Sequence, residues 1–402
     1  MGVSACRVRA AYCDHRASDD GVYDALVRAT SPLHRSWDRI ERARQVVIKA
    51  NRMWSPDSIR YFRGRSQELV DYSVLRAVLR LLRERTSARL IVADTSLASA
   101  GSRPGPDLNF RPLLDEFGGE YVESNDPPFG MYEVSDPGRM FARYQLSDCL
   151  AQADAVVSVA KMKNHAAMGV TLCLKNLFGL TPMQPLGRSR QYFHHIIRLP
   201  YVLTDLGRIT QPCLNVIDGL VGQSGRELDG DGRVGDVLVA GDHVVATDAC
   251  GAWLMGHDPS SDWPTPPFKR DRNALLVAAE RGFGTVDMSQ IDFETEVDRP
   301  VASFASSTSD AYEQVRSWRR TMCEQALFYR EHHRKLAAQY AGEYIYLQDG
   351  RVVWHGEDTR NLGSRWGLSG ENKDSALFLK WVDPEEAEGE NFELYERILS
   401  DM

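Results

Sequence analysis

The chain has 402 residues, 48 basic and 56 acidic side chains and a formal charge of −8. At ~100–200 residues per domain this length fits about two domains with a full hydrophobic core. The acidic balance excludes nucleic acid as a main partner, because a phosphate backbone needs a basic face. Apolar runs such as "AVVSVA" stop well short of the ~18–20 residues of a membrane span, and no apolar block opens the chain, so it reads as cytoplasmic with no membrane partner.

In chain order, the apolar runs of strand length are "QVVIKAN" (45–51), "ARLIVADTS" (88–96), "AVVSVAK" (155–161), "PCLNVIDGL" (212–220) and "GDVLVAGD" (235–242). Between them lie the helical patterns "QELVDYSVLRAVLRLLRER" (67–85) and "FRPLLDEFGG" (110–119), and after them "HVVATDACGAWLMG" (243–256). Continuous Val/Ile/Leu runs alternating with helices predict an α/β fold, a mostly parallel sheet covered by helices on both faces. The stretches 102–110 and 259–270 read as loops. A long charged helix over 309–341 ends a core domain of residues 1–337. Residues 338–402 then read as a small C-terminal α+β module, with a hairpin turning at Asp349-Gly350 and a further strand in "SALFLKWVDPEE".

Seven dispersed cysteines without C-x-x-C spacing exclude an iron–sulfur cluster and a zinc knuckle, and fit reduced thiols. Lysine is rare, with eight among the 48 basic residues, yet Lys49, Lys161, Lys163 and Lys175 stand at or just after strand ends. Strand alternation aims Lys161, Lys163 and His165 to one side. Neighbouring ammonium groups lower one another's pKa and attract a carboxylate or phosphate, so these three and Lys175 are the candidate catalytic residues. Ligands of parallel sheets bind outside the carboxyl ends of strands, which brings Lys49, Asn51, Asp218 and Asp242 to the same expected cleft. Gly169, preceding a helix whose amides face an anion, and Asn176 complete the candidate substrate-binding set. A structural alternative pairs the lysines with acids such as Asp218 and Asp242.

His194 and His195, with His165, offer imidazoles for proton transfer or for a divalent metal, one of the pair reaching the cleft. "ELDGDGRVGD" lacks the acid spacing of a calcium loop and reads as a glycine-rich turn at the rim. No nucleotide motif (G-x-G-x-x-G after a first strand, or G-x-x-x-x-G-K-[ST]) and no G-x-S-x-G elbow occurs.

Taken together, "VVIKAN", "AVVSVAKMKNHAAMGVTLCLKNLFGL", "NVIDGLVGQSG" and "VLVAGDHVVATDACGAWLMG" resemble the family called domain of unknown function 362, over roughly residues 40 to 300. The eight-cysteine ferredoxin domain that usually accompanies that family is absent from this sequence. "YIYLQDGRVVWHGED" is similar to a second small module, domain of unknown function 5678. More distantly, the architecture resembles the nickel-pincer lactate racemases, in which lysine and histidines surround a cofactor and a carboxylate substrate. The expectation is an enzyme acting on a small anionic organic acid or phosphate, by proton transfer or redox chemistry at a carbon beside a carboxylate or carbonyl. Isomerase, lyase and oxidoreductase stay open, as do a metal-containing cofactor and a homo-oligomer. The alternative is a non-catalytic anion- or cofactor-binding protein that uses the same lysines.

Overall fold

A computed structural model describes residues 5–52, 54, 56–95, 109–182, 190–358 and 378–402. Most of the loop expected at 102–110 lies outside the described residues. The main sheet contains β1 (Cys6–Tyr12), β2 (Gln45–Ala50), β3 (Arg89–Asp94), β4 (Gly119–Glu123), β5 (Ala155–His165), β6 (Gly169–Thr171), β7 (Leu214–Ser224), β8 (Asp231–Gly241) and β9 (Ile291–Thr295). Their order is β9-β1-β8-β7-β5-β2-β3-β4, with β6 paired to β5. The five strands β7, β5, β2, β3 and β4 are mutually parallel. β8 runs antiparallel between β7 and β1, and β9 is parallel to β1. The fold is α/β, a mixed but mostly parallel sheet, as the apolar runs imply.

Alternation along the strands gives the sheet two dry faces. Ile48, Val157 and Val159 pack on one face with Leu26 of α1 (Asp19–Thr30) and Leu75 and Leu79 of α2 (Tyr72–Arg85). Val47, Val156 and Met162 pack on the other with Leu206 of α4 (Arg198–Thr210) and Ala249 of α5 (Val244–Leu254). Between them in the chain lies the short α3 (Cys173–Asn176). α2 begins five residues later than its sequence pattern suggests, because Asp71 is its N-cap and accepts the Ser73 amide. Residues 67–71 are thereby left outside the helix and lie across the candidate site.

The tail forms a three-stranded antiparallel sheet of β10 (Tyr344–Gln348), β11 (Arg351–Gly356) and β12 (Phe378–Trp381), followed by α7 (Phe392–Ser400). It packs on α6 (Tyr312–Tyr340), and Tyr344, Ile345, Phe378 and Tyr395 join the same hydrophobic cluster as Met162 and Tyr192. A buried polar knot fastens it. Arg198 pairs with Glu390 at 2.7 Å, and Lys380 meets Glu386 and Glu390 at 3.0 Å and Glu388 closer still. Tyr192 donates to Glu388 and Tyr395 to Glu390.

Candidate functional site

The carboxyl ends of β2, β3, β5 and β7 form one edge, and register decides which side chains share a face. Asp218 stands level with Lys161, so both point to the α2 face. Lys49 stands level with Ser158, one step out of phase with Lys161, and points to the opposite face. The expected single cleft is thus two buried sites back to back.

On the α2 face, Lys161 Nζ donates to Asp218 Oδ2 at 3.0 Å, with both side chains fully buried. The same oxygen accepts the Asp71 amide at 2.7 Å. Burial pushes the Asp218 carboxyl up, against the pull of Lys161. Lys163 follows on the same face, 2% exposed, and donates to the carbonyls of Glu68 (2.8 Å) and Glu227 (3.3 Å). No carboxylate lies within 4.0 Å of its nitrogen among the described residues. Burial lowers its pKa to about 8; the charges of Lys161 and Lys49 push the same way, while Glu68 and Glu227 oppose.

The cover over these lysines comes from two segments. Arg65 holds Asp71 at 2.9 Å, Glu68 accepts the Asp229 amide at 2.7 Å, and Gln67 reaches Gln223 and the Gly230 carbonyl. The glycine-rich turn between β7 and β8 therefore closes over Lys163 together with residues 65–71.

His165, at the end of β5, accepts the amides of Ala167 (3.0 Å) and Met168 (3.2 Å) on Nδ1. Glu227 Oε2 lies 3.6 Å from that nitrogen, but it holds the Ala166 amide. Burial first, then the charges of Lys175, Lys163 and Arg270, keep His165 well below the usual imidazole range. It is therefore neutral, and two amides on Nδ1 place its proton on Nε2. The His194 ring stacks on it at 5.5 Å. His195 is buried next in the chain. Among the described residues His165, His194 and His195 do not bring three ligand atoms together; the group that does is Asp14, His15 and Asp236, in which Arg16 grips Asp14.

On the opposite face Lys49 Nζ meets Asp94 Oδ1 at 2.9 Å and Asn176 Oδ1 at 2.9 Å. Asn176 spends its amide hydrogens on the Lys49 and Val159 carbonyls and Ser158 Oγ, a wholly internal role. Gly179 explains the glycine of "LKNLFG": a Cβ there would stand 2.3 Å from Lys49 Cε and 2.7 Å from Asp94 Oδ1. Lys175 lies over the Phe178 ring at 4.6 Å.

Two expected site residues take other places, and a third keeps its strand end. Asp242 follows β8, and because β8 is antiparallel it sits at the opposite edge of the sheet, bound by the Arg7 amide and by Arg35. Gly169, at φ +73°, opens β6, which folds back on His165. The amides of Cys173 and Leu174 that begin α3 are taken by Asp248 rather than left for an anion. Asn51 bonds through its backbone to Val159 and Val70, while its Oδ1 is buried without a partner.

Arg52 is the functional candidate that sequence reasoning missed. Its side chain is buried, donates to the Val70 carbonyl at 2.7 Å and lies over Phe110 at 5.6 Å. It has no carboxylate within 4.0 Å among the described residues, and its Nε is buried without a partner. Asp71 and Asp94, the nearest acids acting on it, are committed to Arg65 and Lys49. Burial lowers its pKa to about 10. The only sequence signal is its place directly after "VVIKAN", at a strand end.

The fold and this edge define an α/β protein of the open-sheet type with an array of buried lysines at the carboxyl ends of its strands. Residues 46–253, more than half of the chain, match the model of the family described as Domain of unknown function (DUF362), and the chain belongs to that family. The match ends before the tail and lends no support to the second resemblance. Thylakoid-associated protein sll1697 of Synechocystis sp. is 26% identical over 178 residues, 43% of this chain and 50% of that protein. The chain thus spans about half the length of that curated relative. Among the described residues no helix is long and apolar enough to cross a membrane, and all seven cysteines are free.

Proposed function

We propose that this protein is an enzyme that binds a small anionic organic acid or phosphate at the carboxyl edge of the sheet and moves a proton at a carbon beside a carboxylate or carbonyl. The observation that carries the reading is a charge imbalance. Five buried cations (Lys49, Arg52, Arg65, Lys161, Lys163) face four buried carboxylates (Glu68, Asp71, Asp94, Asp218). Lys161, Lys49 and Arg65 are paired, so among the described residues of this edge Lys163 and Arg52 are the buried cations without a carboxylate within 4.0 Å. Burying an ion without a counter-ion costs several kcal/mol, and a bound anion offsets that cost. Lys163, whose pKa burial lowers to about 8, is the proton-transfer group in this reading. His165, neutral with its proton on Nε2, is a hydrogen-bond donor beside it.

The proposal extends to a cytoplasmic setting and to residues 338–402 as a separate module docked on the core, of the kind the tail hairpin resembles. The rival reading is a non-catalytic anion- or cofactor-binding protein; the relative's name records an association with thylakoids rather than a reaction. One experiment separates the two. The full chain is incubated in D2O with a panel of 2-hydroxy, 2-oxo and phosphorylated acids, and loss of the α-proton is followed by NMR. Exchange on at least one acid, reduced on the order of 100-fold in Lys163→Arg with binding kept, supports the enzyme. Binding without exchange on any acid supports the carrier.

A further inference from the structure

We infer that Lys163 is a nucleophile that captures a small, negatively charged carbonyl compound as an imine. The inference rests on reading this edge as a substrate site and adds a covalent step to it. Lys163 becomes a nucleophile by giving up one proton to solvent, and its surroundings suit the amine so formed. Lys163 Nζ meets two acceptors, the Glu68 and Glu227 carbonyl oxygens at 2.8 and 3.3 Å. A neutral amine has two N–H groups for them and one lone pair for the remaining tetrahedral corner, whereas an ammonium would turn a third N–H there. Lys161, two residues back on the same face, shows the contrasting arrangement: its nitrogen is locked to the Asp218 carboxylate at 3.0 Å. The burial that lowers Lys163 favours the amine form as well.

Part of the cover over this nitrogen reaches solvent: Glu227 supplies one of the two carbonyls, and its own side chain is 34% exposed. The step balances without an oxidant or reductant. The amine lone pair forms a C–N bond to the carbonyl carbon, the C–O bond breaks, and the oxygen leaves as water with the two amine hydrogens. Consuming Lys163 in this way leaves Arg52 as the cation without a carboxylate, which is why the captured compound should itself carry negative charge.

The test uses the wild-type full chain, glyoxylate and sodium cyanoborohydride, which reduces an imine to a stable secondary amine, with the adduct mapped by peptide mass spectrometry. Oxalate, an anion without a reactive carbonyl, serves as competitor. The expected result is labelling of Lys163 at least ten-fold faster than of exposed Lys335, slowed by oxalate. Labelling of Lys335 ahead of Lys163 overturns the inference. If Lys163 stays unlabelled while oxalate still raises the melting temperature, the imine fails and the anion site survives. If oxalate also has no effect, both fall. Lys163→Arg, confirmed folded by its melt, should lose the fast-labelled position.

Discussion

Replacing Gly179 by alanine puts a methyl group into the Lys49–Asp94 pair. Its Cβ would lie 2.3 Å from Lys49 Cε and 2.7 Å from both Lys49 Nζ and Asp94 Oδ1, where carbon contacts are comfortable at about 3.5–4.0 Å. Lys49 is 1% exposed and its ammonium is held by Asp94, Asn176 and the Ala50 carbonyl, so it has no route to solvent. Either the backbone gives, at about 1–3 kcal/mol for overpacking, or the buried pair opens, at about 3–5 kcal/mol. The expected loss of stability is therefore about 1–5 kcal/mol by denaturant titration. The same change made in a Lys49→Ala/Asp94→Ala background should lose that cost. Gly179 sits in a helical turn without positive φ, so alanine there should be neutral or stabilise by about 0.4–1 kcal/mol. Equal costs in the two backgrounds, or no cost in the wild-type one, would refute the reasoning.

Lys161→Met leaves Asp218 buried without its cation and should cost about 3–5 kcal/mol, whereas Lys163→Met strands no carboxylate and should cost at least about 2 kcal/mol less; unfolding midpoints in reverse order would contradict the assignment. Lys163 holds its proton to about 8 in the fold and to 10.5 in the unfolded chain, so between those values the unfolded chain binds more protons and stability from this residue rises with pH. The wild-type minus Lys163→Met difference in unfolding free energy should climb across that window, and a flat or falling difference argues against a depressed lysine. Glu390→Gln removes the carboxylate from buried Arg198 and should lower stability by about 3–5 kcal/mol; a melt within a degree of wild type would mean the tail is not anchored there.

The strands were legible because apolar runs of the right length are written into the chain, and "AVVSVAK" and "NVIDGL" became β5 and β7. Direction was not legible: "DVLVAG" reads the same whichever way β8 runs, and its antiparallel course carries Asp242 to the far edge. Period-two alternation placed Lys161 and Lys163 on one face, but it says nothing about register between strands. Register is what puts Lys49 on the other side. The acids that neutralise Lys161 and Lys49 stood at strand ends in plain view, while Arg52 and Glu68 gained meaning only once residues 65–71 folded across the edge. An N-cap reading of Asp71 would have freed that segment from the helix.

The polar knot at Arg198 also fixes an order in time. Among the described residues its hydrogen-bond partners apart from the Tyr192 carbonyl are Leu379, Glu390 and Tyr395, all at least 181 residues further along the chain. At ~5–20 residues per second on the ribosome, Glu390, 192 residues downstream, is made about 10–40 s after Arg198. During that interval the guanidinium on α4 lacks the carboxylate it pairs with in the finished fold. The sheet edge with its lysines can assemble from residues already synthesised, and the final closure of the molecule belongs to the last segment to appear.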